Sequence, residues 1–191
     1  MRVDKVQIYG LDESIRAAKF PMSVAPRYET NELTPGIIKL AQSGKGEGHD
    51  NWLNGVIAQF DLTCTNKMWV ELQRYHFVDF VSSQSTMHRA AKMDLALCFN
   101  PYVTQAVREE CCRLQYEYLV NHTEDNYLRL LYNLPSGFEL TARMTTNYRQ
   151  LKTIYAQRKN HRLPEWREFC TYIKHNFPHS YLFTGEEPND A

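Results

Sequence analysis

The first ten residues alternate, with Val3, Lys5, Gln7 and Tyr9 set against Asp4, Val6 and Ile8, and the run stops at Gly10. A period of two predicts an opening strand. Asp12 offers a short acceptor side chain that caps a helix, and Pro21 ends it because its ring cannot follow a helical turn. Between Ser23 and Asp50, residues Pro26, Pro35 and Gly36 and the run Ser43-Gly44-Lys45-Gly46-Glu47-Gly48 predict loop with one helix, Pro35 to Ala41. A helical stripe follows over His49 to Ala58 (Trp52, Leu53, Val56, Ile57), then a strand over Phe60 to Cys64. Helix is predicted again from Asn66 to Phe77 and extended chain from Val78 to Ser83. The longest helix runs from Tyr102 to Val120, with Val103, Ala106, Val107, Leu114 and Tyr118 at core spacing. Thr123 caps a helix over Glu124 to Tyr132, closed by Leu134-Pro135, and Gly137 to Thr146 alternates as a strand. Asn147 caps a helix to Arg158, and the last helix spans Leu163 to Asn176 with Pro164 in its first turn. Strands and helices in this order, without repeat or linker, predict one α+β domain over 1–185 and a disordered acidic tail over 186–191.

Composition narrows the picture. The 191 residues suffice for one domain with a full core. No apolar run approaches the roughly 18 to 20 residues that span a bilayer, and the N-terminus lacks an export pattern, so a soluble cytoplasmic protein with no membrane partner is expected. Cys64, Cys98, Cys111, Cys112 and Cys170 are odd in number and contain no Cys-x-x-Cys, which predicts buried free thiols. The 22 Lys and Arg balance 22 Asp and Glu, excluding a surface that coats nucleic acid. The balance is uneven along the chain. From Arg143 to Arg167, Arg143, Arg149, Lys152, Arg158, Lys159, Arg162 and Arg167 stand against Glu165 alone, which is either a solvated helix face or a basic site.

Two segments could carry chemistry. Asn147, Leu151, Ile154 and Arg158 share one helix face about 16 Å long. An Arg on that core-facing side takes either a salt bridge or an anionic or carbonyl-bearing ligand that its planar fork can clamp. Arg149 points away from the stripe and is expected at the surface. The second segment runs from Glu71-Leu72-Gln73-Arg74-Tyr75-His76 into Ser82-Ser83-Gln84-Ser85-Thr86-Met87-His88-Arg89. Its hydroxyl and amide groups suit a phosphate or a base edge, or form an ordinary polar loop. His49, His76 and His88 lack metal-ligand spacing, and Cys111-Cys112 inside the long helix is placed poorly for a nucleophile. The Gly44-x-Gly46-x-Gly48 run lacks the Lys-Ser/Thr ending of a P-loop.

Taken in order, the segments resemble the flavin-dependent thymidylate synthases. That family carries an Arg-His-Arg-x7-Ser signature at a helix end, an upstream His element, and a later Leu-Pro, strand, then Asn-x-Arg helix bearing a further Arg. Here Arg74 ends the helix before the Ser-rich loop, and Gly48-His49-Asp50-Asn51-Trp52-Leu53-Asn54 resembles the His element. Leu134-Pro135 precedes the strand, Asn147-Tyr148-Arg149 with Arg158 matches the Asn-x-Arg helix, and Glu165-Trp166 resembles the family's Gln-Trp. The likeness spans roughly residues 45 to 170. It implies an α+β fold with a mainly antiparallel sheet flanked by helices, assembled as a homotetramer with active sites at subunit interfaces.

The implied reaction converts dUMP to dTMP, with methylenetetrahydrofolate giving the carbon, reduced FAD the hydride, and NADPH reducing the flavin. Carried over by position, His49, Arg74, Asn147 and Arg149 contact FAD, with His49 also near the folate. Glu71, Ser83, Gln84, Ser85, Arg89 and Arg158 contact the nucleotide, and Arg158 and His49 are the catalytic pair. The resemblance thus promotes Arg149, since in an oligomer a surface residue can wall an active site. The chain also departs from the pattern. Tyr75-His76 stands in place of His-Arg, Ser85 matches only with one inserted residue, and Arg89 needs a longer insertion, Met87 or Thr86 otherwise taking its place. Leu131 stands where an Arg usually precedes Leu-Pro, and Asn51 and Asn54 replace a hydroxyl and an acid. These departures imply a divergent, phage-like member, with two alternatives: modification of another pyrimidine nucleotide, such as hydroxymethylation, or a non-catalytic nucleotide- or nucleic-acid-binding relative.

Overall fold

The computed structural model describes residues 1–44 and 46–186. Its strands are β1 (Arg2–Tyr9), β2 (Ile57–Thr65), β3 (Asp79–Ser83) and β4 (Glu139–Asn147). Its helices are α1 (Leu11–Ala18), α2 (Pro35–Ala41), α3 (Asn66–Leu72), α4 (Thr86–Arg89), α5 (Gln105–Val120), α6 (Glu124–Asn133), α7 (Tyr148–Arg158), α8 (Pro164–Asn176) and α9 (Tyr181–Thr184). The strands form one sheet in the order β1-β2-β4-β3, antiparallel at every step. At its centre β2 and β4 pair without a break from Ile57 opposite Asn147 to Thr65 opposite Glu139.

Alternation fixes that register. Ala58, Phe60, Leu62 and Cys64 of β2 and Ala142 and Met144 of β4 are buried, and a one-residue slip would turn every one of them to the other face. Leu151 and Ile154 of α7 and Trp166, Phe169 and Ile173 of α8 join the same core, where Phe60 meets Phe169 with ring centroids 5.8 Å apart. A smaller second core lies under α5 and α6, built from Ala90, Leu95, Phe99, Cys111, Leu114, Leu130 and Phe138. This is the expected α+β architecture, an antiparallel sheet flanked by helices. Among the described residues no helix is long and apolar enough to cross a membrane.

Several elements differ in extent from expectation. The helix expected over His49 to Ala58 is a 3-10 turn, Asn51–Gly55, and Ile57 and Ala58 already belong to β2. Leu53 and Val56 are buried in either geometry, so the apolar stripe could not separate the two. α1 is capped by Gly10, not Asp12; Gly10 has φ 69°, and a Cβ there would lie 2.6 Å from the Gly55 carbonyl oxygen. Only glycine fits both the left-handed backbone and that close approach. α3 stops at Leu72, short of Phe77, whose φ of 62° is incompatible with continuing a helix. α5 buries only Cys111 and Leu114, leaving Ala106 exposed and Val107 on the surface, because one side of this helix packs against no other element among the described residues. A short α9 follows the helix expected to be last, and Leu182 and Phe183 bury its apolar side. Of the expected tail, 187–191 lie outside the described residues, while Glu186 pairs with Lys174 and accepts a hydrogen bond from the Tyr155 hydroxyl.

The cysteines are free, and Cys64, Cys111 and Cys170 are buried, whereas Cys112, expected inside, is exposed on α5. Burial pushes the Cys170 thiol up to about 12 and the Cys64 thiol higher still, because a thiolate there would be cut off from water. Mild alkylation of the native protein, followed by peptide mass spectrometry, is expected to label Cys112 and to leave Cys64 and Cys170 unlabelled until denaturant is added.

Candidate active site

α7 starts at a buried cap. Asn147 Oδ1 accepts the Gln150 backbone N–H at 2.8 Å, and the Tyr148 N–H bonds the Val56 carbonyl at 3.0 Å, tying the helix to the end of β2. Two cations one turn along reach across to the same acid. Arg149 Nε donates to Asp50 Oδ1 at 3.1 Å, and Lys152 Nζ donates to Asp50 Oδ2 at 2.8 Å. Lys152 also donates to the carbonyls of Ala41 and Ser43 at 2.8 and 2.6 Å, using all three of its protons to hold the chain that enters the glycine run. Asp50 is buried at 6% exposure, affordable for a carboxylate because two cations flank it.

This trio walls a cavity of about 500 Å³ together with Gly44, Gly46, Asn147, Gln150, Phe77 and Gln157. Two cations against one carboxylate leave a net positive charge there. Arg149 spends only Nε on Asp50, so among the described residues both its Nη groups lack a protein acceptor. Gly46 has φ 95°, and a Cβ built on it meets nothing within 4 Å, so the loop presents bare backbone at the cavity. Such a wall suits an anion. The side-chain pattern had placed Arg149 at the surface, and at 39% side-chain exposure it is instead a partly buried member of this wall.

The far end of α7 carries the second cluster. Arg158 Nη1 donates to Glu71 Oε2 at 3.1 Å and lies 2.7 Å from His161 Nε2, while Nε donates to the Tyr75 hydroxyl at 2.7 Å. The guanidinium carbon sits 4.8 Å from the Trp166 ring centroid and 5.4 Å from that of Tyr75. Glu71 Oε2 also accepts Trp166 Nε1–H at 2.9 Å, and Lys67 approaches Oε1 at 3.7 Å. Both alternatives for this core-facing Arg are therefore compatible: a salt bridge is formed, yet among the described residues Nη2 has no protein acceptor. The frame is rigid because α3, which carries Glu71, is tied to α8, which carries Trp166. Buried Glu165 accepts Thr65 N–H at 2.9 Å and Thr65 Oγ1–H at 2.7 Å, and Thr65 caps α3.

The other expected site residues are spread out. His49 is exposed beside Asp50, and Arg74 is exposed past the end of α3 with no side-chain hydrogen bond among the described residues. Gln84 is used by the fold: its N–H bonds the Thr141 carbonyl at 3.0 Å and its Oε1 accepts the Thr141 N–H at 2.8 Å, prolonging the β3–β4 ladder. Ser83 and Gln84 line a separate small cavity of about 230 Å³ with Asn66, Trp69 and Gln73. Ser85 precedes α4 and Arg89 ends it, exposed. Within one chain, Glu71 meets Arg158 and Asn147 lines one cavity with Arg149, but the Ser83-to-Arg89 loop joins neither pair. A larger cavity of about 670 Å³ near Lys67, Val103, Pro135 and Glu165 contains none of the expected site residues, and its Glu165 and Lys67 are already engaged with Thr65 and Glu71.

Sequence reasoning did not single out Asp50, Lys152, Tyr75 or His161 as site residues. Arg149 and Lys152 stand three apart on α7, a spacing that lets both reach one acid, but nothing local identifies Asp50, 99 residues from Arg149, as that acid.

The sheet order, the helices around it and the two clusters on α7 give the chain the fold of the flavin-dependent thymidylate synthases, the likeness read from its motifs. It superposes on a thymidylate synthase X from Helicobacter pylori, crystallised with FAD and dUMP, with a TM-score of 0.78 at 15% identity over 97% of this chain and 98% of that one. A second structure of the H. pylori flavin-dependent enzyme, also complexed with FAD and dUMP, gives 0.77 at 17% identity over 97% and 99%. The UMP/dUMP methylase PolB from Streptomyces cacaoi, bound with 5-Br dUMP, gives 0.65 at 15% identity over 91% and 88%. No protein-family profile and no curated protein matches the chain by sequence.

Proposed function

We propose that the protein is a flavin-dependent enzyme of pyrimidine nucleotide metabolism, a cytoplasmic thymidylate synthase that converts dUMP to dTMP. One observation carries this reading: α7 presents two cationic groups, Arg149 in an open cavity and Arg158 in an aromatic cage, each with donors that no protein acceptor among the described residues uses. Two solved structures that share the fold were crystallised with FAD and dUMP.

The cavity around Arg149 fits a flavin nucleotide in its donor set. The Nη groups of Arg149 and the bare loop at Gly44 and Gly46 would take phosphate oxygens, and Phe77 adds an apolar wall. Asn147, His49 and Arg74 complete the cofactor contacts in this reading. Bound FAD, reduced by NADPH, would supply the hydride, and methylenetetrahydrofolate the carbon. The chain's own part is to bind, orient and neutralise. Glu71 and Tyr75 hold Arg158 in one pose, so its Nη2 protons meet the nucleotide without searching for it, and the aromatic cage keeps water from competing for them.

Ser83, Gln84, Ser85 and Arg89 would reach the nucleotide from a neighbouring subunit of a homotetramer. Two features support that arrangement: the loop is apart from Arg158 within one chain, and α5 and α6 leave the large side chains of Tyr116, Leu119, Val120 and Tyr132 exposed. The purified protein is expected to show flavin absorbance, or to take up FAD when it is added at micromolar concentration, and to form dTMP from dUMP, methylenetetrahydrofolate and NADPH. A colourless protein that takes up no FAD would overturn the proposal. The departures from the family's pattern leave a second reading, modification of another pyrimidine nucleotide such as hydroxymethylation, which the product's mass separates from dTMP.

A further inference from the structure

The two groups on α7 are not independent. Gln157 and Arg158 are sequence neighbours whose side chains leave the helix in different directions, Gln157 to the Arg149 cavity and Arg158 to the aromatic cage. A single atom touches both: the Tyr75 hydroxyl oxygen accepts Arg158 Nε–H at 2.7 Å, and the same hydroxyl donates to Gln157 Oε1 at 2.9 Å. The tyrosine itself is fixed. Its ring meets Trp166 edge-on at 5.9 Å and lies under the guanidinium, and its N–H bonds the Leu72 carbonyl at 3.0 Å. Two residues on, Phe77 lines the Arg149 cavity with a left-handed backbone at φ 62°, so the segment from Arg74 to Phe77 runs from one group to the other.

Proton accounting gives the bridge a direction. A phenol has one proton, and here it goes to Gln157, which leaves the oxygen lone pairs free for Arg158. If Gln157 turned away to meet a ligand, the phenol would lose its acceptor and its proton could swing toward Arg158, placing donor against donor. With Gln157 held, the hydroxyl is locked as an acceptor and the guanidinium is locked with it. We infer that Tyr75 is a positioning residue that couples ligand binding in the Arg149 cavity to the pose of Arg158: a ligand filling that cavity packs against Gln157 and keeps it on the Tyr75 hydroxyl, so that each ligand tightens the other. The inference rests on the function proposed above for the identity of the two ligands.

A binding cycle tests it, with FAD and dUMP titrated calorimetrically into the protein alone and into the protein saturated with the other ligand. Coupling between sites must be reciprocal, and in the wild type each ligand is expected to tighten the other about tenfold. In Tyr75→Phe, which keeps the ring but removes the bridge, that factor is expected to fall at least threefold. Gln157→Leu, which removes only the acceptor, is expected to lower it in the same way. A purely structural role for Tyr75 would instead weaken both ligands and leave their ratio unchanged. Equal factors in wild type and both variants, or independent binding of FAD and dUMP by the wild type, would overturn the coupling while leaving the proposed function standing. Failure of the wild type to bind either ligand would overturn both.

Discussion

Replacing Arg158 by alanine is expected to lower kcat/KM for dUMP by about a thousandfold while the protein remains folded. The size follows from the donors at stake. Two charge-assisted hydrogen bonds from Nη2 to a ligand are worth about 1.5 to 3 kcal/mol each, and about 4 kcal/mol together corresponds to three powers of ten. The fold loses less, because Glu71 keeps Trp166 Nε1–H at 2.9 Å and Lys67 at 3.7 Å and is not left as an unpaired carboxylate. The cost to stability is expected at about 1 to 2 kcal/mol. Arg158→Lys is expected to restore little activity: an ammonium cannot face Glu71, the Tyr75 hydroxyl and a ligand with a flat fork. Steady-state kinetics beside thermal unfolding separate the two effects, and near-wild-type turnover in Arg158→Ala would remove Arg158 from the reaction.

Asp50→Asn is expected to destabilise the fold strongly. The carboxylate is buried, and both of its oxygens are used, one by Arg149 and one by Lys152. An amide of the same shape keeps one acceptor, turns an NH2 toward one of the cations, and leaves two positive charges without their counter-charge. Breaking a buried pair in this way costs about 3 kcal/mol, which for a chain of this size lowers Tm by about 9 °C. Partial exposure of Arg149 keeps the figure at the lower end of the range for buried pairs. Lys152→Met in the same background should cost less than it does in the wild type, since it then removes an unpaired cation. Strict additivity of the two changes in thermal unfolding would show that the pair does not act as a unit.

The basic stretch shows how a correct count can be read two ways. Its seven cations face one acid in sequence, yet in the fold Arg143 pairs with Asp61 at 3.2 Å, Arg149 and Lys152 share Asp50, and Arg158 takes Glu71. Much of the local excess is answered by acids from distant segments. Among the described residues, what remains in the two clusters is a set of N–H groups on Arg149 and Arg158 without a protein acceptor, while Lys159, Arg162 and Arg167 are exposed and form no salt bridge.

By itself the sequence determined the elements whose signals are local. β1, β4, α2, α6 and α7 stand close to where alternation, capping and proline place them, because a two-residue period, the cap of Thr123 or Asn147 and a first-turn proline act within a few residues. The motif order around Arg74, Asn147, Arg149 and Arg158 also sufficed to indicate the fold. Only the tertiary structure decided that Asn51 to Gly55 forms a 3-10 turn with β2 starting at Ile57, that α5 leaves one side open, that Asp50 serves both Arg149 and Lys152, and that Tyr75 joins Gln157 to Arg158. Each of these depends on a partner far along the chain, 99 residues for Arg149 and Asp50 and 83 for Arg158 and Tyr75, and a hydrogen bond across that separation leaves no period or spacing in the sequence.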